Sequence, residues 1–190
     1  GNGQTSGNFY SSDGITWSSS GAISGIYQMY GIAYGNGKYV ALDTGGNFAV
    51  SSDGVSWAKY SGKSATTSSS GFVNFANGRF HAYASSSGTG YIETSTDGTT
   101  WTSPLVTVNG STTISGTTNI CYGSNVWIIS ADTNNPPKTS TDGLTFNSIS
   151  VPGGGAYADL KSIAYNGTRY VAVGTQSGIK YSGQPLTMYS

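Results

Sequence analysis

Charged side chains are scarce in this sequence. Only 8% of its 190 residues are Asp, Glu, Lys or Arg, and the formal net charge is zero. A chain without a basic face has no electrostatic basis for binding nucleic acid or an anionic membrane surface. On charge alone, both classes of partner are excluded.

Long apolar runs are also missing. No stretch approaches the roughly 20 consecutive apolar residues of a membrane helix, so we expect no membrane insertion. The N-terminus lacks the basic and apolar regions of a signal peptide. Because the chain begins with Gly1 instead of Met, we expect a processed or excised piece of a longer chain, from which the compartment signal has been removed.

Reactive side chains are few. The single cysteine, Cys121, has no partner for an internal disulfide and lies in an apolar run, so we expect a buried thiol. The single histidine, His81, takes the repeat position of Val40, which favours a satisfied histidine between sheets over a metal ligand. No Gly-rich phosphate loop precedes a helix, and no catalytic triad can be assembled. The sequence predicts no cofactor.

Glycine, tyrosine and small polar residues take the place of charge. The chain has 29 Gly and 14 Tyr, and 13% of its residues are aromatic. Aromatic and apolar residues at ordered spacings argue against low-complexity disorder. No segment repeats apolar residues every 3.6 positions, so we expect essentially no helix. This balance is typical of an all-β protein rich in turns.

One seven-residue motif recurs along the chain, at residues 11–17, 51–57, 95–101 and 140–146. The aspartates of successive copies are 40, 44 and 45 residues apart, a period that indicates a repeat architecture. We call each copy an Asp-Gly corner. A fifth, eroded copy is predicted at residues 181–187.

Each Asp-Gly corner is predicted to be a turn. The carboxylate accepts hydrogen bonds from backbone N–H groups just ahead of it, and glycine supplies the positive φ. The aromatic residue three positions later then folds back over the corner. We expect these residues to be structural: Asp13, Gly14, Trp17, Asp53, Gly54, Trp57, Asp97, Gly98, Trp101, Asp142, Gly143 and Phe146.

Short alternating strands and Asn-Gly turns lie between the corners. The approximate repeats are a half unit at 1–20 and fuller units at 28–60, 71–104, 118–149 and 160–190. Units of roughly 40 to 45 residues with four strands are typical of β-propeller blades. We predict one β-propeller domain over 1–190 with five blades of up to four antiparallel strands. The N-terminal half blade would close the ring against the C-terminal segment, and four blades is the alternative.

The four corners resemble the Asp-box, or BNR, repeat family, whose pattern is roughly Ser-x-Asp-Gly-x-Thr-Trp between the third and fourth blade strands. The resemblance covers nearly the whole chain and implies a propeller with the boxes on its rim, away from the central site. Sialidases with this repeat need three arginines, whereas this chain has only Arg79 and Arg169. A general glycosidase needs two facing carboxylates, and four lie outside the corners: Asp43, Glu93, Asp132 and Asp159. We expect no enzyme; a hydrolase using Asp132 or Glu93 is the least favoured alternative.

Irregular loops are predicted to gather on the side opposite the corners, at 61–70, 84–90, 102–118, 131–138 and 150–159. We call this the loop face, and recognition is usually placed on such loops. The candidate ligand-binding residues are Tyr27, Tyr30, Asp43, Asn47, Tyr83, Tyr91, Asp132, Asn134, Asn135 and Tyr157. Packing between blades and solvation are the alternatives for each of them. No metal site is predicted, although calcium held by loop oxygens around Asp132 is an alternative.

The neutral, Ser-, Thr-, Gly- and Tyr-rich composition is similar to that of phage tail-fibre tips and secreted bacterial adhesins. This resemblance implies a non-catalytic receptor-binding or lectin-like module for cell-surface carbohydrate, located outside the cell or on a virion surface. The alternative is a structural or protein-docking propeller in a larger fibre or homo-oligomer.

Overall fold

The computed structural model describes residues 7–62, 70–86, 89–102, 107–108, 119–130, 136–149, 158–176 and 185–189. Every regular element in these ranges is a β-strand, as the sequence predicts. None of the described residues forms a helix with the length and apolarity needed to span a bilayer. The chain divides into two compact units, residues 1–87 with 93–103 and residues 88–92 with 104–190.

The first unit holds small meandering sheets. A two-stranded sheet joins β1 (Asn8–Tyr10) to β2 (Ser18–Gly21). A four-stranded sheet follows in chain order, with β3 (Met29–Gly35), β4 (Lys38–Asp43), β5 (Asn47–Ser51) and β6 (Ala58–Ser61). A three-stranded sheet contains β7 (Ser70–Ala76), β8 (Arg79–Ser86) and β9 (Thr89–Ser95), the last of which runs across the boundary of the two units.

The second unit continues this pattern. One sheet contains β10 (Thr107–Val108), β11 (Ile120–Gly123), β12 (Val126–Ile129), β13 (Lys138–Ser140) and β14 (Thr145–Ser148). Its strand order is β10-β14-β13-β12-β11, and β10 is parallel to β14. Another sheet joins β15 (Ala158–Tyr165), β16 (Tyr170–Gln176) and β17 (Pro185–Tyr189) in chain order.

Each unit has its own apolar core. In the first unit, Val40, Leu42 and Phe48 pack with Phe80 and Trp101. The rings of Phe48 and Trp101 are stacked, with centroids 3.7 Å apart and planes 5° from parallel, so this contact joins the four-stranded sheet to the corner that follows β9. The core of the second unit is built around Leu160, Ile163 and Ala172.

An aromatic pair joins two strands of a hairpin in each of four sheets, at the same place beside the turn. The ring centroids are 4.5 to 4.6 Å apart in Tyr34–Tyr39, Phe75–Phe80, Tyr122–Trp127 and Tyr165–Tyr170. Two of the sheets lie very close to a neighbour at this level. A Cβ added to Gly35 would lie 2.1 Å from the Phe75 ring, and one added to Gly123 would lie 2.2 Å from the Tyr165 ring. Glycine is therefore needed at both positions.

The Asn-Gly turns have the predicted chemistry. Asn36 and Gly37 both have positive φ, as do Asn77 and Gly78, which is the geometry of a type I′ hairpin turn. The Asn36 amide donates to the carbonyls of Gly78 and of Thr96. In the first unit, the two Asn-Gly turns, each of which joins the first strand of a sheet to the second, therefore lie on the same side of their sheets as the third Asp-Gly corner. The sequence predicts this arrangement.

Several element boundaries differ from the sequence prediction. The sequence predicts that the fourth strand of this four-stranded sheet leads out of the corner from Val55, whereas β6 begins at Ala58, because the corner keeps residues 52–56 out of the strand. The stretch 102–118, predicted as a loop, contributes β10, and most of 84–90 is strand. The prediction of a fifth, eroded corner at residues 181–187 is wrong for the three residues that the structure describes. Pro185, Leu186 and Thr187 belong to β17, because that copy lacks the Asp-Gly pair that forms a corner. The sequence also predicts a third strand of the last repeat at 178–181, which lies outside the described residues. The blade number and the closure of a ring stay predictions.

Candidate functional site

The four Asp-Gly corners share one hydrogen-bond pattern. In each, the Asp Oδ1 accepts from the backbone N–H groups two and three residues ahead, at 2.7 to 2.8 Å. The preceding Ser hydroxyl donates to the same Oδ1 at 2.7 to 3.0 Å and accepts from the Gly N–H at 2.8 to 2.9 Å. All four glycines have φ between 71° and 76°. The predicted turn chemistry is confirmed.

These hydrogen bonds keep the corner carboxylates ionised. Backbone N–H groups of Ser56 and Val55 and the Ser51 hydroxyl lower the pKa of Asp53 from 3.8 to about 2. The N–H of Thr145 is the main cause that lowers the pKa of Asp142 to about 2. The pKa of Asp13 lies well below its ordinary value, chiefly because of the N–H groups of Thr16 and Ile15. A hydrogen bond to the charged form always acts in this direction.

Burial opposes that effect at the third corner without overcoming it. Desolvation is the largest single influence on Asp97 and raises its pKa, but the N–H groups of Thr100 and Thr99 and the Ser95 hydroxyl together hold it well below 3.8. A general acid needs a raised pKa. None of the four corner aspartates is suited to that role.

The corner aromatic residues differ in exposure, although their local geometry is alike. Trp17, Trp57 and Trp101 each donate the indole N–H to the carbonyl of the corner glycine, at 3.1 to 3.3 Å. Trp101 is only 3% exposed and Phe146 is fully buried, whereas Trp57 is half-buried and Trp17 is 60% exposed. The side chains that fold back over the first two corners therefore stay accessible.

An open groove of about 750 Å³ lies beside these two corners in the first unit. We call it the aromatic groove. Its lining combines aromatic and aliphatic side chains with hydroxyls and two carboxylates. The lining residues are Phe9, Tyr10, Ser11, Ser12, Asp13, Thr16, Trp17, Ser18, Ile32, Tyr39, Asp53, Gly54, Val55 and Trp57. None of these lining residues is Lys, Arg or His.

Rings and hydroxyls together suit one kind of chemistry. Aromatic faces stack on apolar surfaces of a ligand, while the hydroxyls of Ser12 and Ser18, which also line the groove, can donate and accept hydrogen bonds. The groove is therefore suited to a ligand with apolar faces and many hydroxyl groups. The Ser11 hydroxyl donates to Asp13 Oδ1 at 2.8 Å, but the lowered pKa of that carboxyl makes it a weak base.

Asp43 and Asn47 do not face a ligand in the arrangement observed. Asp43 is completely buried, and its two carboxylate oxygens accept from the N–H groups of Gly45, Asn47 and Tyr27 and from the Asn47 amide. The pair holds the β4–β5 turn together. The prediction that Asp43 binds sugar hydroxyls is contradicted, because its acceptor capacity is used inside its own loop.

The predicted tyrosines fall into different environments. Tyr27 is 60% exposed, Tyr30 and Tyr91 are half-buried, and Tyr83 is only 2% exposed. Tyr83 stacks on Phe72 with centroids 5.4 Å apart, so it cannot serve as a sugar platform, which corrects that prediction. Four other candidates, Asp132, Asn134, Asn135 and Tyr157, lie outside the described residues.

The remaining chemical candidates are held within the fold. His81 is fully buried and Glu93 is 5% exposed. Arg79 donates to the Thr94 hydroxyl at 3.3 Å. Cys121 is half-buried, and burial raises the pKa of its thiol. Among the described residues, no three His, Cys, Asp or Glu side chains are close enough to hold a metal ion.

Sequence reasoning missed the groove residues Phe9, Tyr10, Ile32 and Tyr39. The signal that could have found them is the aromatic pair Phe9-Tyr10, which lies on β1 just before the first corner. Ile32 and Tyr39 lie on β3 and β4 of the four-stranded sheet.

No protein-family model matches the chain, and no curated protein sequence matches it significantly. The chain is similar in structure to an ancestral GH74 enzyme, with a TM-score of 0.63 and 18% identity over 98% of this chain and 28% of that one. It is also similar to YCF48 bound to D1 peptide, with a TM-score of 0.62 and 14% identity over 97% of this chain and 61% of that one. The computationally designed protein Ika4 matches with a TM-score of 0.54 and 15% identity over 85% of this chain and 91% of that one.

These neighbours are β-propellers, and the chain has a β-propeller fold. At identities of 14 to 18%, the likeness concerns the fold and leaves function to be argued from the site.

Proposed function

We propose that this β-propeller chain is a non-catalytic recognition module that binds carbohydrate in the aromatic groove. The observation that carries the proposal is the combination, in one groove of about 750 Å³, of exposed aromatic rings with hydroxyl groups. Stacking on rings and bonding to hydroxyls are the two kinds of contact that a sugar requires. The volume lies within the range of ligand sites in proteins.

The proposal includes a cell-surface carbohydrate as partner and a place outside the cell or on a virion surface. The low charge of the chain supports this partner over nucleic acid. Catalysis is not part of the proposal. The groove contains two carboxylates, Asp13 and Asp53, and both have a lowered pKa, whereas a glycosidase needs one of its two carboxylic acids protonated.

A glycan array probed with the intact chain tests this function. We expect binding to at least one class of glycan, confirmed by titration at millimolar or lower concentration. A folded chain that binds no glycan at millimolar concentration overturns the proposal.

Protein docking is the second candidate function, and exposed aliphatic side chains in and beside the groove favour it. Ile15 is 85% exposed and Ile32 is 57% exposed, and branched aliphatic side chains at such exposure suit a protein partner. A stable complex with a fibre subunit or with a second copy, detected by size analysis in the absence of glycan, would support this function instead.

A further inference from the structure

We propose that the aromatic groove selects an uncharged oligosaccharide, and that Trp17 and Trp57 are the platforms on which two of its sugar rings stack. This inference rests on the proposed function, because it names the ligand class and the main contacts of the same groove.

The internal repeats separate packing from recognition. In the third corner, the Trp101 ring is stacked on Phe48 at 3.7 Å. A Cβ on Gly98 of that corner would lie 2.7 Å from a methyl group of Val40, which shows how closely the corner is packed. In the first two corners the equivalent tryptophans line the groove. The tryptophan at one motif position thus lies in the core at the third corner and lines the groove at the first two, where Trp57 also packs against the buried cluster of Ile23, Ile26, Ala41 and Ala49.

Both tryptophans are held in a fixed orientation. The indole N–H of Trp17 donates to Gly14 and that of Trp57 donates to Gly54. The Trp57 ring also lies 6.4 Å from the Tyr39 ring, at 50° to it. Because the only polar atom of each indole is already bonded, each side chain offers a ligand its ring and not its N–H group. Stacking on the C–H face of a sugar needs no more than this.

Charge determines which sugars are accepted. Asp13 and Asp53 both line the groove, and both are ionised at neutral pH because their own corners stabilise the charged form. No cationic side chain is among the lining residues to neutralise them. A glycan that carries carboxylate or sulfate groups would be repelled, whereas a neutral chain would not.

Matched hexasaccharides test the charge selection. The full chain is titrated with cellohexaose and mannohexaose as neutral probes and with hexagalacturonate as an anionic probe, and tryptophan fluorescence and heat are recorded. We expect a neutral hexasaccharide to bind at least about tenfold more tightly than the anionic one, a difference of about 1.4 kcal/mol. Equal or tighter binding of hexagalacturonate overturns the charge selection.

Variants test the two platforms. We expect Trp17→Ala and Trp57→Ala each to weaken binding of the neutral probe at least about tenfold, and Trp17→Phe to keep it within about threefold. Tyr60→Ala is the control, because Tyr60 is an exposed aromatic side chain that does not line the groove. Tyr27→Ala tests the alternative site on the loop face, because Tyr27 is 60% exposed and does not line the groove either. Unfolding in urea confirms that each variant is folded.

The outcomes separate this inference from the proposed function. If neutral glycan binds and is lost in Tyr27→Ala but not in either tryptophan variant, recognition occurs on the loop face and the inference is wrong while the function stands. If no glycan binds to the folded chain, both are wrong. Loss in the two tryptophan variants alone supports both.

Discussion

A corner aspartate such as Asp142 satisfies the hydrogen-bond donors of its own turn. Its Oδ1 accepts from the N–H groups of Leu144 and Thr145 and from the Ser140 hydroxyl, so one oxygen satisfies three donors in a turn. Without the carboxylate, those donors can be satisfied only by water. The loss in the free energy of unfolding therefore depends on how accessible the corner is to water.

We expect Asp142→Ala to lower the free energy of unfolding by about 1 to 2 kcal/mol, which is the range for losing a comparable side-chain cap. Asp142→Asn keeps one acceptor oxygen and should cost less. Asp13→Ala should have the smallest effect, because the first corner is exposed and water can replace the carboxylate. Urea unfolding of the three variants and the wild type gives the order, and an equal loss at both positions would contradict it.

The corners also predict acid sensitivity. A carboxyl whose folded pKa is about 2 and whose ordinary pKa is 3.8 takes up a proton more readily in the unfolded chain. Its stabilisation is therefore complete above about pH 4 and is lost as the pH falls toward 2. We expect the free energy of unfolding to fall across this window, modestly for each corner because the carboxylates are exposed to solvent.

Measuring unfolding by urea at pH 5, 4, 3 and 2 tests this expectation. The variant Asp142→Asn should show a shallower decline than the wild type, because one titrating group has been removed. A decline of the same steepness would show that Asp142 does not contribute.

At the level of elements, neighbouring sheets meet where a glycine of one sheet leaves room for an aromatic ring of the next. Gly35 lies at the end of β3, and the Phe75 ring of β7 occupies the space where a side chain would be. The same relation links Gly123 of β11 to Tyr165 of β15 in the second unit. Packing of this kind tolerates no added volume without a shift of the ring.

We expect Gly35→Ala to destabilise the chain by about 1 to 3 kcal/mol, as overpacking usually does. In a Phe75→Ala background, the same substitution should cost much less, because the ring that it meets is absent. A double-mutant cycle in urea measures the coupling. Additive effects of the two substitutions would show that the contact is not the cause.

The corner tryptophans allow a second comparison between elements. Trp101→Ala removes a ring that is stacked on Phe48 between two sheets, and we expect a loss of about 3 to 5 kcal/mol. Trp17→Ala removes an exposed ring from the same motif position and should cost far less. Thermal and urea unfolding of both variants test this; comparable losses would mean that Trp17 is part of a core.

For the whole molecule, the absence of net charge predicts how binding responds to salt. A neutral chain that binds a neutral glycan gains little from long-range electrostatics. We expect the Kd for the best neutral hexasaccharide to change less than about twofold between 50 and 500 mM NaCl. A steep salt dependence would indicate an ionic ligand group and would contradict the proposed selectivity.

Much of the fold could be predicted because its signals are local. Asn36-Gly37 and Asn77-Gly78 form the predicted hairpin turns, and the four corners form the predicted turns, since each depends on residues only two or three positions apart. Boundaries such as the start of β6 were less accurate, because a corner and a strand compete for the same residues. The blade count and the arrangement of 1–190 as one domain stay predictions.

The sequence by itself determined the all-β class, the repeat and the structural role of the corner aspartates, because short-range hydrogen bonds and strand alternation depend only on neighbours in the chain. The tertiary structure decided where a ligand can be received. Trp17 and Trp101 occupy the same motif position, and only the packing of neighbouring sheets exposes one and buries the other. The sequence likewise predicts that Asp43 is available to a ligand, but in the folded β4–β5 turn its carboxylate accepts hydrogen bonds from the N–H groups of Gly45 and Asn47. Exposure is set by contacts between residues far apart in the chain, and no local pattern encodes it.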